Sequence, residues 1–287
     1  MSKIYLMRII ADGGATKTSW VIMKGGKVIM RFTTDGFNPN YSDINVFIDM
    51  IHHDLPDIIA NAVEHVHYYG TGCGNEGNRN AISAVLQHRF PQALIQVNHD
   101  LMAAAHALFG SSRGIACILG TGSHSCLYDG VQIVDNAVSL GYILGDEGSG
   151  CHIGKALLHD YFYHVMPSDL REQFETTYPM TREGFIENCY HKPQPSRYLA
   201  SFAWFAGENI HHPYVRDLCS DCFDSFFNHF VLRYPSASIK KIGFVGSVAF
   251  CFQELLTEIA DNKHFAIEKI LKEPMEGLIA YYGGVAK

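Results

Sequence analysis

A glycine-rich segment near the start of the chain carries side chains suited to binding an anion. It follows the apolar run Ile4–Ala11 and supplies two glycines, two threonines and one lysine: Gly13, Gly14, Thr16, Thr18 and Lys17. Glycines let backbone N–H groups converge on an anion, and the hydroxyl and ammonium groups add further donors. Asp12, at the end of the predicted strand, could hold Mg²⁺ through water. A plain hairpin turn is the alternative, but it needs neither this aspartate nor these donors, and the spacing is not that of a Walker A loop.

A second glycine-rich segment, Gly120-Thr121-Gly122-Ser123, follows the apolar run Ile115–Leu119. Alone it is a weak indicator, because such a sequence occurs in many turns. Beside the first segment it becomes informative. We expect two such loops, one from each half of the chain, to bind a triphosphate across a cleft.

A carboxylate stands where a strand is predicted to give way to a helix. Asp100 follows Asn98 and His99, and the predicted helix starts at Leu101. Aspartate suits the N-cap of such a helix. It is also well placed to accept a proton from a substrate hydroxyl. The two interpretations are compatible, and both stay open.

Two adjacent acids, Asp146 and Glu147, lie among the glycines of the segment Gly145–Gly150. Carboxylates can accept paired hydrogen bonds from the neighbouring hydroxyls of a sugar. The alternative is structural, because acids are favourable at the N-terminus of the helix predicted to follow. The first interpretation predicts a sugar-binding loop.

The composition excludes several classes of function. The chain has 287 residues, a net charge of −7 and no long Lys/Arg run, so a nucleic-acid partner is not expected. No apolar run reaches the ~20 residues that span a bilayer, and the apolar start of the chain is interpreted as a strand and not as a signal peptide. The eight cysteines are scattered, several within apolar runs, which indicates reduced thiols in the cytoplasm.

Other candidate metal ligands have poor spacing. Cys219 and Cys222 form a single C-x-x-C without a second pair, which favours two ordinary cysteines on a helix. Histidine pairs such as His52-His53 and His211-His212 lack the spacing and the helical glutamate of a zinc site. Surface histidines are therefore the favoured interpretation.

Short apolar runs that end in glycine turns indicate buried strands, and helical stretches fill the gaps between them. Ile44–Asn61 and Asn78–Phe90 carry apolar residues at helical spacing. Alternation of strands with helices predicts an α/β protein.

The two glycine-rich loops open similar patterns of antiparallel strands about 110 residues apart, which suggests an internal duplication. We expect one domain over residues 1–110 and a second over 111–273, with a helical insertion at about 160–205. A last helix, over 274–287, is expected to pack back on the first domain.

The motifs together resemble those of a known superfamily. Asp12–Thr18, Gly120–Ser123 and Gly246–Ala249 resemble the phosphate-1, phosphate-2 and adenosine motifs of the acetate kinase/actin/sugar kinase superfamily. With Gly70–Gly74, Asn98–Asp100 and Gly145–Gly150, their order is similar to that of the BadF/BadG/BcrA/BcrD ATPase family, and within it to N-acetylglucosamine kinases. The resemblance covers nearly the whole chain and implies a two-domain actin-like ATPase fold, related to ribonuclease H, with a cleft between the domains.

The resemblance also implies roles, with ATP and Mg²⁺ as cofactors. Asp100 would be the general base, and Asp12 would organise Mg²⁺. The implied phosphate and nucleoside contacts are Gly13, Gly14, Thr16, Lys17, Thr18, Gly120, Thr121, Gly122, Gly246, Ser247 and Ala249. The implied sugar contacts are Asn38, Asp100, Thr121, Ser123, Gly145, Asp146 and Glu147. His124 departs from the pattern, because amino-sugar kinases often have asparagine there, and the zinc motif of the ROK sugar kinases is absent.

Three functions compete. The favoured one is an ATP-dependent kinase acting on N-acetylglucosamine or a related amino sugar. An ATPase that activates an electron-transfer partner would need cluster-binding cysteines, whereas the cysteines here lie mostly in apolar runs. A non-catalytic sugar sensor would be expected to lack Asp12 or Asp100, and both are present. The sequence leaves a homodimer open and does not name the hydroxyl that is phosphorylated.

Overall fold

The computed structural model describes residues 6–14, 17–55, 62–234 and 240–284. The chain divides into two compact units, Met1–Gly110 with Pro274–Lys287, and Ser111–Glu273. Each unit contains a five-stranded mixed sheet with helices packed on it. The predicted α/β fold with two domains is confirmed.

Five strands form the sheet of the first unit: β1 (Met7–Gly13), β2 (Lys17–Lys24), β3 (Lys27–Asp35), β4 (His65–Gly70) and β5 (Leu94–His99). Their order is β3-β2-β1-β4-β5. β1 pairs antiparallel with β2, whereas β1, β4 and β5 are mutually parallel. The carboxyl ends of these three strands therefore meet at one edge of the sheet.

Within the described part of residues 1–110, three helices follow the strands: α1 (Ile44–Asp54), α2 (Glu76–Arg89) and α3 (Asp100–Phe109). α1 is shorter than the helix predicted over Ile44–Asn61. It ends because Leu55 precedes Pro56 and takes an extended conformation, with φ −89° and ψ 132°. The rest of that prediction, residues 56–61, lies outside the described residues.

Alternate residues of β1 face opposite sides of the sheet. Ile9 and Ala11 point into the main apolar core of the unit. Arg8, Ile10 and Asp12 therefore lie on the other side. The core is completed chiefly by aromatic and branched side chains, among them Trp20, Ile22, Phe37, Phe47, Val66, Tyr68, Leu86 and Phe90.

The sheet of the second unit also has five strands: β6 (Gly114–Leu119), β7 (Ser123–Tyr128), β8 (Ile133–Asn136), β9 (Lys241–Val245) and β10 (Ala266–Leu271). Their order is β10-β9-β6-β7-β8. β6, β9 and β10 are parallel, so their carboxyl ends share an edge, as in the first unit. β7 begins at Ser123, the last residue of the second glycine-rich segment.

The described residues of this unit form nine helices: α4 (Gly141–Leu144), α5 (Gly150–Phe162), α6 (Ser168–Thr177), α7 (Arg182–Ile186), α8 (Pro195–Ser201), α9 (Ala203–Glu208), α10 (Pro213–Phe226), α11 (Ser247–Cys251) and α12 (Gln253–Asn262). The π-helical turns Glu187–His191 and Phe227–Val231 continue α7 and α10. Cys219 and Cys222 are buried on α10, and burial raises the pKa of both thiols, that of Cys222 to about 12. They are ordinary core residues of a helix.

The last helix, α13 (Met275–Gly283), packs on α3 in the first unit. A Cβ atom at Gly277 would lie 2.5 Å from the carbonyl oxygen of Ala107, so only glycine allows this approach. Arg8 Nη1 donates a hydrogen bond of 2.9 Å to the carbonyl oxygen of Tyr282. No helix in the described part of the chain has the length and hydropathy needed to cross a membrane.

A buried polar network fixes α13 to the sheet. The hydroxyl of Tyr69 lies 2.7 Å from His106 Nδ1 and 2.6 Å from the hydroxyl of Tyr282. His67 stacks on Tyr282 with ring centroids 4.1 Å apart. β4, α3 and α13 are thereby joined through side chains that are far apart in the sequence.

Candidate active site

The parallel register of the first unit brings two carboxylates to one sheet edge. Gly13 of β1 is paired with Gly70 of β4, and Gly70 with His99 of β5. Asp12 therefore lies at the end of β1, and Asp100 directly after β5. Two strand spacings, about 10 Å, separate the two backbones. Both aspartates are half-buried.

The turn after β1 is tightly built. The N–H of Gly14 donates to the carbonyl oxygen of Lys17 at 2.9 Å, and the N–H of Thr71 donates to that of Gly13 at 2.9 Å. A Cβ atom at Gly13 would lie 2.5 Å from the hydroxyl of Tyr68, so the position requires glycine. Gly14 is exposed at the surface.

The other predicted phosphate contacts of this turn have different surroundings. Lys17 is exposed and pairs in register with Asp35 of β3, and Thr18 is buried opposite Gly13. Thr16 lies outside the described residues, so its predicted contact stays a prediction.

Asn38 lies in a turn that packs on the loop after β4. Its Oδ1 accepts a hydrogen bond of 3.0 Å from the N–H of Asn40. Gly72, with φ +76°, has no room for a Cβ atom because Asn38 Oδ1 occupies that space. Asn78 ties the two turns together by donating to Asn40 Oδ1 and to the carbonyl oxygen of Gly72, both at 2.8 Å. The predicted sugar contact is thus held beside the Gly70–Gly74 loop.

Asp100 occupies the first turn of α3 and not its N-cap, which is His99. Its Oδ1 accepts a hydrogen bond of 2.9 Å from the N–H of Leu101. Asp100 was predicted as the N-cap, but it lies one residue further along and bonds to its neighbour within the first turn. The positive end of the helix dipole favours a carboxylate there. Cys73 lies near enough that burial and then the charge of Asp100 raise the pKa of its thiol to about 12. Asp100 and the Gly70–Gly74 loop are therefore neighbours.

In the second unit, the two predicted loops are joined by backbone hydrogen bonds. The N–H of Gly150 donates to the carbonyl oxygen of Gly120 at 2.9 Å, and the N–H of Cys151 to that of Thr121 at 3.1 Å. Within the first loop, the N–H of Gly120 donates to the carbonyl oxygen of Gly122 at 3.0 Å. The side chain of Thr121 remains exposed.

Asp146 holds these loops together, which the sequence did not indicate. Its Oδ1 accepts the N–H of Ser123 at 3.2 Å. A Cβ atom at Gly122 would lie 3.0 Å from both carboxylate oxygens, so a side chain there would push the carboxylate aside. Asp146 is only 9% exposed, and burial raises the pKa of its carboxyl, opposed by the bond from Ser123. Its predicted sugar contact stays a prediction, as does that of the half-buried Glu147.

The loop continues directly into α5. The N–H of Gly145, which is buried, donates to the carbonyl oxygen of Gly141 at 2.8 Å. Ser149 caps α5, and its side chain accepts the N–H of His152 at 3.2 Å. The backbone of the acidic loop is therefore fixed on both sides of Asp146 and Glu147.

A buried hydroxyl in this group lacks a protein partner. Ser123 Oγ makes no hydrogen bond with the described residues. Burying an unpaired hydroxyl costs about 1–3 kcal/mol, so a polar ligand at this place would be favourable. The loop between β6 and β7 thus fits an anionic or hydroxylated ligand.

The loop that begins at Gly246 contacts the loop at Gly120, which is itself bonded to the acidic loop at Gly150. A Cβ atom at Gly246 would overlap the carbonyl oxygen of Leu119 and lie 3.2 Å from the N atom of Gly120. Its φ of +134° also favours glycine. Ser247 begins α11 and is exposed, whereas Ala249 is buried. The motifs predicted to bind phosphate, sugar and adenosine in this unit are therefore contiguous.

The described residues contain no group of three or more His, Cys, Asp and Glu side chains that could hold a metal ion. A magnesium ion would be held here through water, and Asp12 offers a half-buried carboxylate at a strand end for that purpose. The residues present fit such indirect binding.

No protein-family model and no curated protein sequence matches the chain. Solved structures, in contrast, do match the chain. A "Putative N-acetylglucosamine Kinase" from Porphyromonas gingivalis is 40% identical, with a TM-score of 0.92 over 98% of this chain and 100% of that one. Another so described, from Chromobacterium violaceum, has 15% identity and a TM-score of 0.75, covering 97% and 99% of the two chains.

A ROK hexokinase from Thermus thermophilus has 13% identity and a TM-score of 0.52, covering 96% of this chain and 97% of that one. The hexokinase and the Chromobacterium protein are similar to this chain in fold alone. The Porphyromonas protein is similar in sequence as well, over nearly its whole length. The chain therefore belongs to the N-acetylglucosamine kinase-like family of the acetate kinase/actin/sugar kinase superfamily, as its motifs indicate.

Proposed function

We propose that this protein transfers the γ-phosphoryl group of ATP to a hydroxyl of N-acetylglucosamine or a related amino sugar. The observation that carries the proposal is the register of β1, β4 and β5, which brings Asp12 and Asp100 to one sheet edge beside a tight glycine turn. Phosphoryl transfer requires positioning, charge neutralisation and a base, and these residue types supply all three.

Asp100 would accept the proton of the sugar hydroxyl. As that oxygen bonds to the γ-phosphorus, the bond from phosphorus to the β–γ bridging oxygen breaks, and ADP leaves. The dipole of α3 keeps a carboxylate favourable at this position, which supports its action as a base. Magnesium, when bound, would neutralise phosphate charge, and Asp12 would hold it through water.

The glycine turns would bind the phosphates. The N–H groups of Gly14 and Gly120 bond within their own turns, to the carbonyl oxygens of Lys17 and Gly122. The candidate donors are therefore the N–H groups of Thr121 and Gly122, together with the ammonium group of Lys17. The close contacts of Gly13 with Tyr68, of Gly122 with Asp146 and of Gly246 with Leu119 keep these turns closely packed. A fixed backbone supports the assignment, because its N–H groups are then oriented before a phosphate binds.

The name of the 40% identical Porphyromonas protein supports an amino sugar as acceptor. Asn38, Ser123, Asp146 and Glu147 offer amide, hydroxyl and carboxylate groups for its polar substituents. His124 replaces the family's frequent asparagine, and its Nδ1 accepts the N–H of Ser125 at 2.9 Å. The eight cysteines are free, which supports a cytoplasmic location for the kinase.

The decisive experiment measures ADP release with a coupled assay in the presence of Mg²⁺. N-acetylglucosamine, glucosamine, N-acetylmuramate, glucose and mannose would each be tested as acceptor. We expect the highest kcat/KM with N-acetylglucosamine and a sugar phosphate among the products. ATP hydrolysis that no sugar accelerates would contradict the proposal.

A further inference from the structure

A cavity of about 420 Å³ lies in the helical part of the second unit, between α5, α7 and α8. Among the described residues that line it, three are basic, none is acidic and most of the others are apolar. The chain as a whole has a net charge of −7, so this lining is opposite in sign to the rest of the molecule. Sites for small molecules commonly occupy about 300–1,000 Å³, and this cavity lies within that range.

Helical spacing brings the lining side chains together. Those of α5 that share one face, at positions i, i+3, i+4 and i+7, are Lys155, Leu158, His159 and Phe162. α7 repeats the spacing with Arg182, Phe185 and Ile186. The rings of Phe162 and Phe185 lie 5.1 Å apart between their centroids, so the two faces meet. The cavity therefore lies between an apolar, aromatic surface and several positive groups.

Two of the positive groups have no carboxylate bonded to them. Arg182 is exposed, and its guanidinium forms no hydrogen bond or ion pair within the described part of the chain. Lys155 is half-buried, and its Nζ donates to a neutral acceptor, the carbonyl oxygen of Tyr142, at 2.5 Å. His159 differs, because its Nδ1 lies 2.9 Å from Asp160 Oδ1. Lys155 and Arg182 can therefore receive an anion.

We propose that this cavity binds a small aromatic carboxylate. Its ring would lie among Phe162, Phe185 and Ile186, because aromatic rings pack favourably edge to face or offset. Its carboxylate would bond to Lys155 and Arg182, and a guanidinium group can hold a carboxylate with two parallel hydrogen bonds. A free sugar is too polar for this lining. The cavity extends along α5 to Phe162, the last residue of that helix, and so lies away from the glycine loops at its start.

Lys155 also connects the cavity with the acidic loop. Tyr142 belongs to α4, and the N–H of Gly145 donates to the carbonyl oxygen of Gly141 at 2.8 Å, so α4 leads directly into the loop of Asp146. A bound carboxylate would compete with Tyr142 for the ammonium group of Lys155. We therefore expect the ligand to loosen the acidic loop and to weaken sugar binding. This last step rests on the proposed kinase function, whereas the binding of the carboxylate does not.

Calorimetry on the intact protein tests the site, with 2-naphthoate as the probe. The controls are 2-naphthalenemethanol, which keeps the rings without the charge, and acetate, which keeps the charge without the rings. We expect one molecule of 2-naphthoate to bind, and each control compound to bind at least tenfold more weakly. Equal affinity of 2-naphthoate and 2-naphthalenemethanol would overturn the proposal, as would the absence of any binding heat with 2-naphthoate.

Variants locate the probe. Arg182→Gln removes an exposed charge and should weaken the binding of 2-naphthoate about tenfold, because a hydrogen bond to a charged group is lost. Lys155→Met, which keeps most of the apolar stem, should have a similar effect. Arg197→Gln is the matched control, because Arg197 is exposed on α8 and does not line the cavity. Unchanged affinity in Arg182→Gln, with its melting temperature also unchanged, would overturn the site.

The connection with the acidic loop is tested by reciprocity. If 2-naphthoate weakens the binding of N-acetylglucosamine about fivefold, the sugar must weaken the binding of 2-naphthoate by the same factor. Both affinities would be measured by calorimetry, so the test does not depend on turnover. Binding of both ligands without mutual effect would overturn the connection alone. A protein that binds 2-naphthoate but no sugar would contradict the proposed kinase function and leave the carboxylate site supported.

Discussion

Asp100 and Asp146 are both carboxylates beside glycine turns, but their surroundings differ. Asp100 is half-buried in the first turn of α3, with one oxygen bonded to the N–H of Leu101. Asp146 is nearly buried and spans two loops through Ser123 and Gly122. The first is therefore suited to proton transfer and the second to holding backbone in place.

Replacing Asp100 with asparagine should remove the base and preserve the helix. The amide oxygen of Asn can still accept the N–H of Leu101, but it cannot take a proton. We expect kcat to fall ~10²–10⁴-fold with little change in melting temperature. Both quantities would be measured on the same preparation.

Glu76→Gln is the matched control for that variant. Glu76 also lies in the first turn of a helix, α2, and is exposed, so its replacement removes a similar favourable charge without removing the proposed base. Its kcat should equal that of the wild type. If Asp100→Asn melted much earlier and kept full turnover per folded molecule, Asp100 would be a structural residue only.

Substitutions of Asp146 should separate its charge from its hydrogen bond. Asp146→Ala leaves the buried N–H of Ser123 without its acceptor, which we expect to cost about 1–3 kcal/mol in the free energy of unfolding. Asp146→Asn keeps an acceptor. Burial raises the pKa of Asp146, so folding disfavours its charge relative to the unfolded chain, and we expect Asp146→Asn to be less destabilised than Asp146→Ala.

Urea unfolding at pH 7 measures this difference. At pH 3.5 the carboxyl of Asp146 is more protonated. The free energy of unfolding of the wild type should therefore be higher at pH 3.5 than at pH 7, relative to that of Asp146→Asn. Equal stability of the alanine and asparagine variants would show that the bond to Ser123 contributes nothing.

At the scale of elements, the docking of α13 depends on close packing and on neutral histidines. Burial and neighbouring positive charge, chiefly that of Arg8, lower the pKa of His67 to about 3, and burial lowers the pKa of His106 to about 4. Both side chains are uncharged in the folded protein at neutral pH. Each would be charged in the unfolded chain below its ordinary pKa of about 6.5.

This arrangement predicts acid sensitivity with a defined sign. The unfolded state takes up protons from about pH 6.5 downward, and the folded state does so only near pH 4 and below, so stability falls as the pH is lowered between these values. The expected slope is about 1.4 kcal/mol per pH unit for each proton. His106→Asn should flatten the curve between pH 6.5 and 5, where few carboxyl groups titrate.

Thermal melts at half-unit pH steps would record the effect. His53→Asn serves as the control, because His53 is exposed on α1 and its loss should leave the slope as in the wild type. An identical slope for His106→Asn and the wild type would contradict the prediction.

The packing of α13 can be tested by its glycines. Gly277→Ala would place a methyl group 2.5 to 2.7 Å from the backbone and Cβ of Ala107, and we expect it to destabilise the protein by about 1–3 kcal/mol. Gly284→Ala, at the end of the same helix, would meet only the carbonyl oxygen of Ala280 at 3.4 Å. Urea midpoints should therefore separate the two variants, and equal midpoints would disprove close packing at Gly277.

Sequence patterns were sufficient to predict the approximate positions of the strands and of most helices, because alternation, apolar runs and glycine turns are local signals. They overestimated α1, where Pro56 ends the helix, and they placed Asp100 at the N-cap that His99 occupies. The bond between Tyr69 and Tyr282 joins residues 213 positions apart, and no local pattern predicts such a pair. For the same reason the contact of Asp146 with Ser123 was found only in the structure.

At the scale of the whole molecule, the second unit is continuous in sequence and the first is not. Residues 111–273 contain their own sheet and core, whereas the first unit needs residues 274–287 in addition to 1–110. We expect a protein of residues 111–273 to fold alone, and one of residues 1–110 to be unfolded or aggregated.

Circular dichroism and thermal melting of both fragments would test this expectation. A third protein, in which residues 1–110 are joined to 274–287 by about eight Gly/Ser residues, should recover a cooperative melt. If residues 1–110 melted cooperatively without α13, the helix would be dispensable for the fold of the first unit.

The position of α13 after the second unit in the sequence also has a consequence for biosynthesis. Domains generally fold as they leave the ribosome, the N-terminal one first. Here the first unit emerges early but lacks the helix that contacts Arg8, Tyr69 and Ala107 until the whole second unit has been translated. The later-made unit can therefore complete its fold first, and the surface that awaits α13 is the part of the nascent protein most in need of a chaperone.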